Sequence, residues 1–255
     1  MKNIEFRCSY ADDINNRGFG KPNEDRYICD NENGVFAVFD GVTRPHGEYE
    51  NKGSMAADVA KLLCDSVLSD AKTLGNAESI GECEKMLRSS LLRANEKVRE
   101  YNRKCRWKYA PAAVGIAAVL CGDTLCFAYA GDCSGFLVRN GAKIEFSQQQ
   151  TAAVKLKKLS KDEMYSMACN NPGWEFGYGL FNGDDALGNM LTVSHLTLEK
   201  GDTVYLCSDG LYAFMKYGDS GGMTDAGEVI RASAPFDMPP FAAYADDKAI
   251  IVLSF

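Results

Sequence analysis

The sequence predicts an α+β layered sandwich, and two observations carry that expectation. Short aromatic and β-branched runs follow one another through hairpin-length connections, so neighbouring strands pair antiparallel. Two long stretches repeat apolar residues every three or four positions, so two helices cover a sheet face. A doubly wound parallel sheet would alternate strand and helix throughout, which this order does not.

Taken in order, residues 3–10 alternate as an edge strand. Arg26–Cys29 and Val35–Phe39 are strands, joined by the turn-forming stretch Asp30-Asn31-Glu32-Asn33-Gly34. Met55, Val59, Leu63 and Val67 then recur at helical spacing. Ile80, Cys83, Leu87, Leu91, Ala94, Val98 and Tyr101 mark one face of a second helix. Beyond Pro111 come Val114–Leu120 and Leu125–Ala130, then Gly135–Arg139 and Lys143–Phe146 around an Asn140-Gly141 turn. Residues 147–190, basic and then rich in Gly and Asn, read as a flap-like surface excursion. Leu191–Leu196, Thr203–Cys207 and Ala249–Phe255 complete the strands, and Leu211–Lys216 form a short helix. Without repeats, low-complexity tracts or a Pro/Ser-rich linker, residues 1–255 are expected to form a single domain.

Composition narrows the function classes. A net charge of −7 argues against nucleic acid and anionic membrane as main partners. No run reaches the length of a membrane span, and the N-terminus lacks a secretory apolar core. The ten cysteines are scattered without a CxxC pair, so free thiols in a reducing, cytoplasmic setting are expected rather than a disulfide framework. With two histidines in the chain, zinc is disfavoured.

The acidic residues point elsewhere. Glu24 and Asp25 precede one strand of the first hairpin and Asp40 follows the other. Antiparallel pairing makes them spatial neighbours. Asp132 and Asp209 each follow a strand, and Asp246 precedes the last. If strand 203–207 pairs antiparallel with 249–255, Asp209 meets Asp246 by the same geometry. One edge of the sandwich then collects Glu24, Asp25, Asp40, Asp132, Asp209 and Asp246, with Gly41, Gly131 and Gly210 beside three of them. An all-oxygen site of this kind suits Mg²⁺ or Mn²⁺, and several acids suit two ions that clamp a phosphoryl group and ionise a water. The competing reading is that each acid is an ordinary turn former at a strand end.

Five segments in this order resemble the metal-dependent protein serine/threonine phosphatases of the type 2C (PPM) family. They are GKPNEDRY, VFAVFDG, YAGDCSGFLVRNG, GDTVYLCSDGLY and ADDKAIIVLSF. The resemblance covers nearly the whole chain. It implies a four-layer α-β-β-α sandwich: two mainly antiparallel sheets face to face, flanked by helices, with metals at one end. It also implies that Asp25, Asp40, Asp209 and Asp246, with the Gly41 carbonyl, ligate two core ions. Glu24 would contact metal-bound water, Asp132 would serve a third, looser ion, and Asp247 would support Asp246.

The sequence departs from the family pattern near the phosphate. The stretch after Asp40 is DGVTRPHGEY, which displaces the family histidine to His46, a candidate general acid. Gly20 stands where many members carry a phosphate-binding arginine, leaving Lys21 and Arg44 as candidate phosphate partners. PAAVG replaces the family's Gly-Thr-Thr segment, and ALGN stands for its Leu-Gly-Asp, marking a divergent, bacterial-type member. The resemblance implies a monomer that dephosphorylates proteins opposite a cognate serine/threonine kinase, without a phosphoenzyme. Two alternatives stay open: a decayed phosphatase fold kept for binding, and a hydrolase of small phosphate esters.

Overall fold

Strand alternation sets the layers. In β3 (Val35–Gly41), Val35, Ala37 and Phe39 face one way and Phe36 and Val38 the other, and all five are buried. A strand buried on both faces must lie inside a stack. The computed structural model describes residues 4–14, 22–42, 53–104, 110–151, 160, 163–241 and 245–255.

Among these residues two five-stranded antiparallel sheets form. One orders β2 (Arg26–Asp30), β3, β4 (Ala113–Cys121), β5 (Thr124–Ala130) and β8 (Thr192–Thr197). The other orders β1 (Arg7–Asp13), β10 (Lys248–Ser254), β9 (Thr203–Cys207), β6 (Ser134–Arg139) and β7 (Ala142–Glu145). Phe36, Ile116, Phe127, Leu206, Ile251 and Leu253 fill the space between the sheets.

Helices cover both outer faces. α1 (Met55–Leu74) starts at Ser54, whose hydroxyl accepts the Ala57 N–H, and α2 (Ile80–Asn102) starts at Ser79, which accepts from Glu82. Their apolar stripes, with Val59, Leu63, Leu87 and Leu91, pack on Val35, Phe39 and Ala117 of the first sheet. On the other side, α3 (Tyr212–Tyr217) and α4 (Ala226–Ser233) place Met215 and Val229 against Ile250 and Val252 of β10. The α-β-β-α order is the one implied by the resemblance.

Three features differ from expectation. The second half of 147–190 is no surface excursion: Phe181 and Leu187 join the core under the helices, and Tyr178 and Leu180 the intersheet layer. The lysines at 155, 157, 158 and 161 lie outside the described residues. α4 was not anticipated, although Asp225 caps it by accepting the Glu228 N–H. Finally, Cys8 on β1 and Cys29 on β2 are joined by a disulfide that ties the two sheets, whereas seven other described cysteines are free. Among the described residues the pairing departs from the free-thiol expectation at these two positions alone; it joins strands of different layers, an adjacency that scattered cysteines do not announce.

Among the described residues no helix is long and apolar enough to cross a membrane.

Candidate metal centre

Pairing registers bring the acids to one pole. Arg26 lies opposite Phe39, so Asp25, just before β2, emerges beside Asp40 near the end of β3. Asp40 pairs with Val114, and Gly115 with Ala130, so Gly131-Asp132 leave β5 at the same end. On the other sheet Cys207 lies opposite both Ser134 and Ile250, which collects Ser208-Asp209 and Asp246-Asp247 at the neighbouring corner.

Hydrogen bonds across the sheets show that the two corners meet. Ser208 Oγ donates to Asp25 Oδ2 at 2.5 Å and accepts the Ala249 N–H at 2.9 Å. The Glu24 N–H donates to Asp247 Oδ2 at 3.0 Å, and the Asp247 N–H donates to Asp246 Oδ1 at 2.8 Å. Ser54, the cap of α1, donates its hydroxyl to Glu24 Oε1, so the helix start is fastened to the acidic loop. Gly41 N–H donates to the Glu24 carbonyl at 3.2 Å.

Close approach explains one of the glycines. A Cβ at Gly210 would stand 2.1 Å from the Asp247 carbonyl oxygen and 3.0 Å from that of Asp246. Only glycine lets the Ser-Asp-Gly turn nest against the backbone carrying the last two acids.

The electrostatics are those of crowded carboxylates. Burial pushes the Asp25 carboxyl well above the ordinary range. The Ser208 hydroxyl offsets part of this, and the charges of Asp247, Asp209 and Asp246 add to it. Asp40 is raised well above that range too, by burial first and then by Asp25, Asp209, Asp132 and Asp246. The rise in both rests on burial and on the charge of neighbouring acids, the cost a divalent cation would relieve. The donors are carboxylates and carbonyls, which fits Mg²⁺ or Mn²⁺. Among the described residues no three His, Cys, Asp or Glu side chains yet stand as a finished ligand set.

Glu24, Asp25, Asp40, Gly41, Asp132, Asp209 and Asp246 thus share one pole of the sandwich, with Asp247 behind them. Lys21, Arg44 and His46 lie outside the described residues. Cys133, next to Asp132, is buried, and burial together with the neighbouring acids raises its thiol well above the usual range, so it is no ready nucleophile. His195 sits on β8, away from the pole, with Nδ1 2.8 Å from Glu84. Ser208 and Ser54 received no role from the sequence. The Ser-Asp-Gly and Ser-to-helix patterns were the available signals.

Comparisons with known proteins bear on the family and the fold. A family model described as protein phosphatase 2C matches residues 12–156. No curated protein matches. Among solved structures, the Mycobacterium tuberculosis serine/threonine phosphatase PstP/Ppp is similar, with a TM-score of 0.71 and 16% identity over 98% of either chain. The catalytic domain of PstP in complex with two manganese ions gives 0.67 and 16%, covering 98% of this chain and 97% of that one. PppA, a key regulatory component of T6SS in Pseudomonas aeruginosa, gives 0.67 and 20%, covering 99% and 98%. At these identities the likeness is one of fold. Because the family model spans more than half of the sequence, the chain belongs to the protein phosphatase 2C family and is a protein phosphatase.

Proposed function

We propose that the chain hydrolyses phosphoserine and phosphothreonine in proteins with Mg²⁺ or Mn²⁺ held at the acidic pole. The observation that supports this most is the crowding of Asp25, Asp40, Asp209 and Asp246, contributed by both sheets, in which the Asp25 and Asp40 carboxyls are raised by burial and by the charges of their acidic neighbours. In this reading those four, with the Gly41 carbonyl, hold two ions, and Asp132 serves a third. Bound there, the cations supply Lewis acidity toward the phosphoryl oxygens and make a water acidic enough to attack phosphorus directly.

The chain's own residues set the stage. Ser208 holds Asp25 in one orientation, and Asp247 accepts the Glu24 N–H while its own N–H steadies Asp246. Glu24, fastened to Ser54, orients water at the rim. His46 protonates the departing serine or threonine oxygen, and Arg44 or Lys21 engages the phosphate dianion. No side chain is needed as nucleophile, so no phosphoenzyme forms. The chain acts as a monomeric, single-domain cytoplasmic enzyme opposite a serine/threonine kinase.

The test is phosphate release from a phosphothreonine peptide with Mn²⁺ and with chelator. Turnover that needs Mn²⁺, and exceeds that on a nucleotide, is expected. Equal rates with metal and chelator would remove the metal reading. Calorimetry separates a decayed site, which binds Mn²⁺ poorly or without turnover.

A further inference from the structure

Five consecutive residues after β7 grip the turn that carries Asp132. Ser147 Oγ accepts the Gly135 N–H at 2.6 Å, and the Gln148 N–H donates to the Tyr129 hydroxyl at 3.1 Å. Gln149 Nε2 donates to the Asp132 carbonyl at 3.0 Å. The Gln150 N–H donates to the Gly131 carbonyl and its Oε1 accepts the Gly131 N–H, both at 2.9 Å. Thr151 Oγ1 donates to Asp132 Oδ2 at 2.8 Å. Gln150 extends the grip: its Oε1 also accepts the Gly179 N–H at 2.7 Å, and its Nε2 donates to the Met190 carbonyl at 2.8 Å.

This strap is built to orient a carboxylate. Ser147, Gln149 and Thr151 are buried, so their polar atoms make these bonds or lose them unreplaced by water. Gly131, at φ +89°, turns the chain sharply out of β5, and nothing in that backbone alone fixes where the next side chain points. The β-branched Thr151 has few rotamers and presents its hydroxyl to one carboxylate oxygen.

We propose that Thr151, backed by Gln149 and Gln150, is a positioning residue that aims the Asp132 carboxylate and thereby sets affinity for the weakest-bound divalent cation of the pole. The inference rests on the metal reading above. It adds that the third ion's affinity is governed from 147–151, whereas the tighter ions depend on Asp25, Asp40, Asp209 and Asp246. Thr151 touches no reacting atom and acts through Asp132.

Mn²⁺ calorimetry on the full chain tests this, with thermal melts in chelator to confirm folding. Wild type should show tight sites and a weaker one. Thr151→Val should weaken the weaker site about 10- to 100-fold and leave the tight sites alone, and Thr151→Ser should restore it. Saturating Mn²⁺ should recover most of the kcat of Thr151→Val. In an Asp132→Asn background, Thr151→Val should add nothing further. An unchanged isotherm for Thr151→Val, equal weakening of all sites, or a full effect without the Asp132 carboxylate would each overturn the proposal. A wild-type chain that binds no Mn²⁺ overturns the metal reading itself, and this inference with it. If Thr151→Val fails to fold, Gln149→Met, which removes the donor to the Asp132 carbonyl without adding charge, is read by the same criteria.

Discussion

Substituting alanine for Gly210 is a direct probe of the acidic pole. The added Cβ would lie 2.1 Å from the Asp247 carbonyl oxygen, about 1.3 Å short of an ordinary contact at 3.4 Å. Both atoms that meet are held by backbone: Gly210 by the 3₁₀ turn Asp209–Leu211, and Asp247 by the first residues of β10. No rotamer change relieves the clash, so the two corners must part by roughly 1 Å. Overpacking of this kind costs about 1–3 kcal/mol of stability. A displacement of about 1 Å at positioned groups lowers turnover by roughly 100-fold. The assay is phosphate release from a phosphothreonine peptide at saturating Mn²⁺, beside thermal melts. Gly81→Ala is the control, because a Cβ in that first turn of α2 meets nothing within 4 Å, and alanine there should match or exceed wild-type stability. If Gly210→Ala keeps wild-type kcat, the tight seat of the Ser-Asp-Gly turn on Asp246-Asp247 does not govern catalysis.

Other expectations follow from the charges. Asp40→Asn should abolish Mn²⁺-dependent turnover yet raise the melting temperature of the chelated protein at pH 8, because it deletes a half-buried charge repelled by Asp25, Asp209, Asp132 and Asp246. A fall in melting temperature would contradict the repulsion argument. The folded carboxyls of Asp25 and Asp40 hold their protons to higher pH than unfolded ones, so their contribution is most favourable below about pH 4 and declines as pH rises through the raised values. Melts in chelator should therefore fall as pH rises above about 4, and the gain from Mn²⁺ should grow in the same direction; a flat profile would count against it. Far from the pole, Arg139 holds the nearly buried Asp202 through Nε at 2.8 Å and Nη2 at 2.6 Å. Arg139→Ala should cost about 1–3 kcal/mol in denaturant melts by leaving that carboxylate the Glu199 N–H in place of a paired cation, with kcat unchanged.

Local rules made much of this molecule legible. The meeting of Asp25 and Asp40 is a consequence of antiparallel pairing between adjacent strands, and the two long helices follow from apolar spacing. Where sequence reasoning stopped short, burial had no period to show it. Tyr178, Leu180 and Phe181 enter the core from irregular, Gly- and Asn-rich backbone, held by Asn170, whose side chain bonds the Leu180 N–H and carbonyl. α4 spans only eight residues, too few for a stripe to stand out. The Cys8–Cys29 pairing and the Ser208–Asp25 bond depend on how one layer seats on another, which no local pattern encodes.

That seating has a mechanical consequence. Asp25 and Asp40 hang from one sheet, Asp209 and Asp246 from the other, and the gap between the pairs is gauged by the thickness of Phe36, Phe127, Leu206 and Ile251 packed in between. Trimming one of those hydrocarbon spacers would let the sheets settle and narrow the jaws at the rim. Substitutions without a single polar atom, buried well away from any phosphate, thereby become dials on how firmly the jaws close.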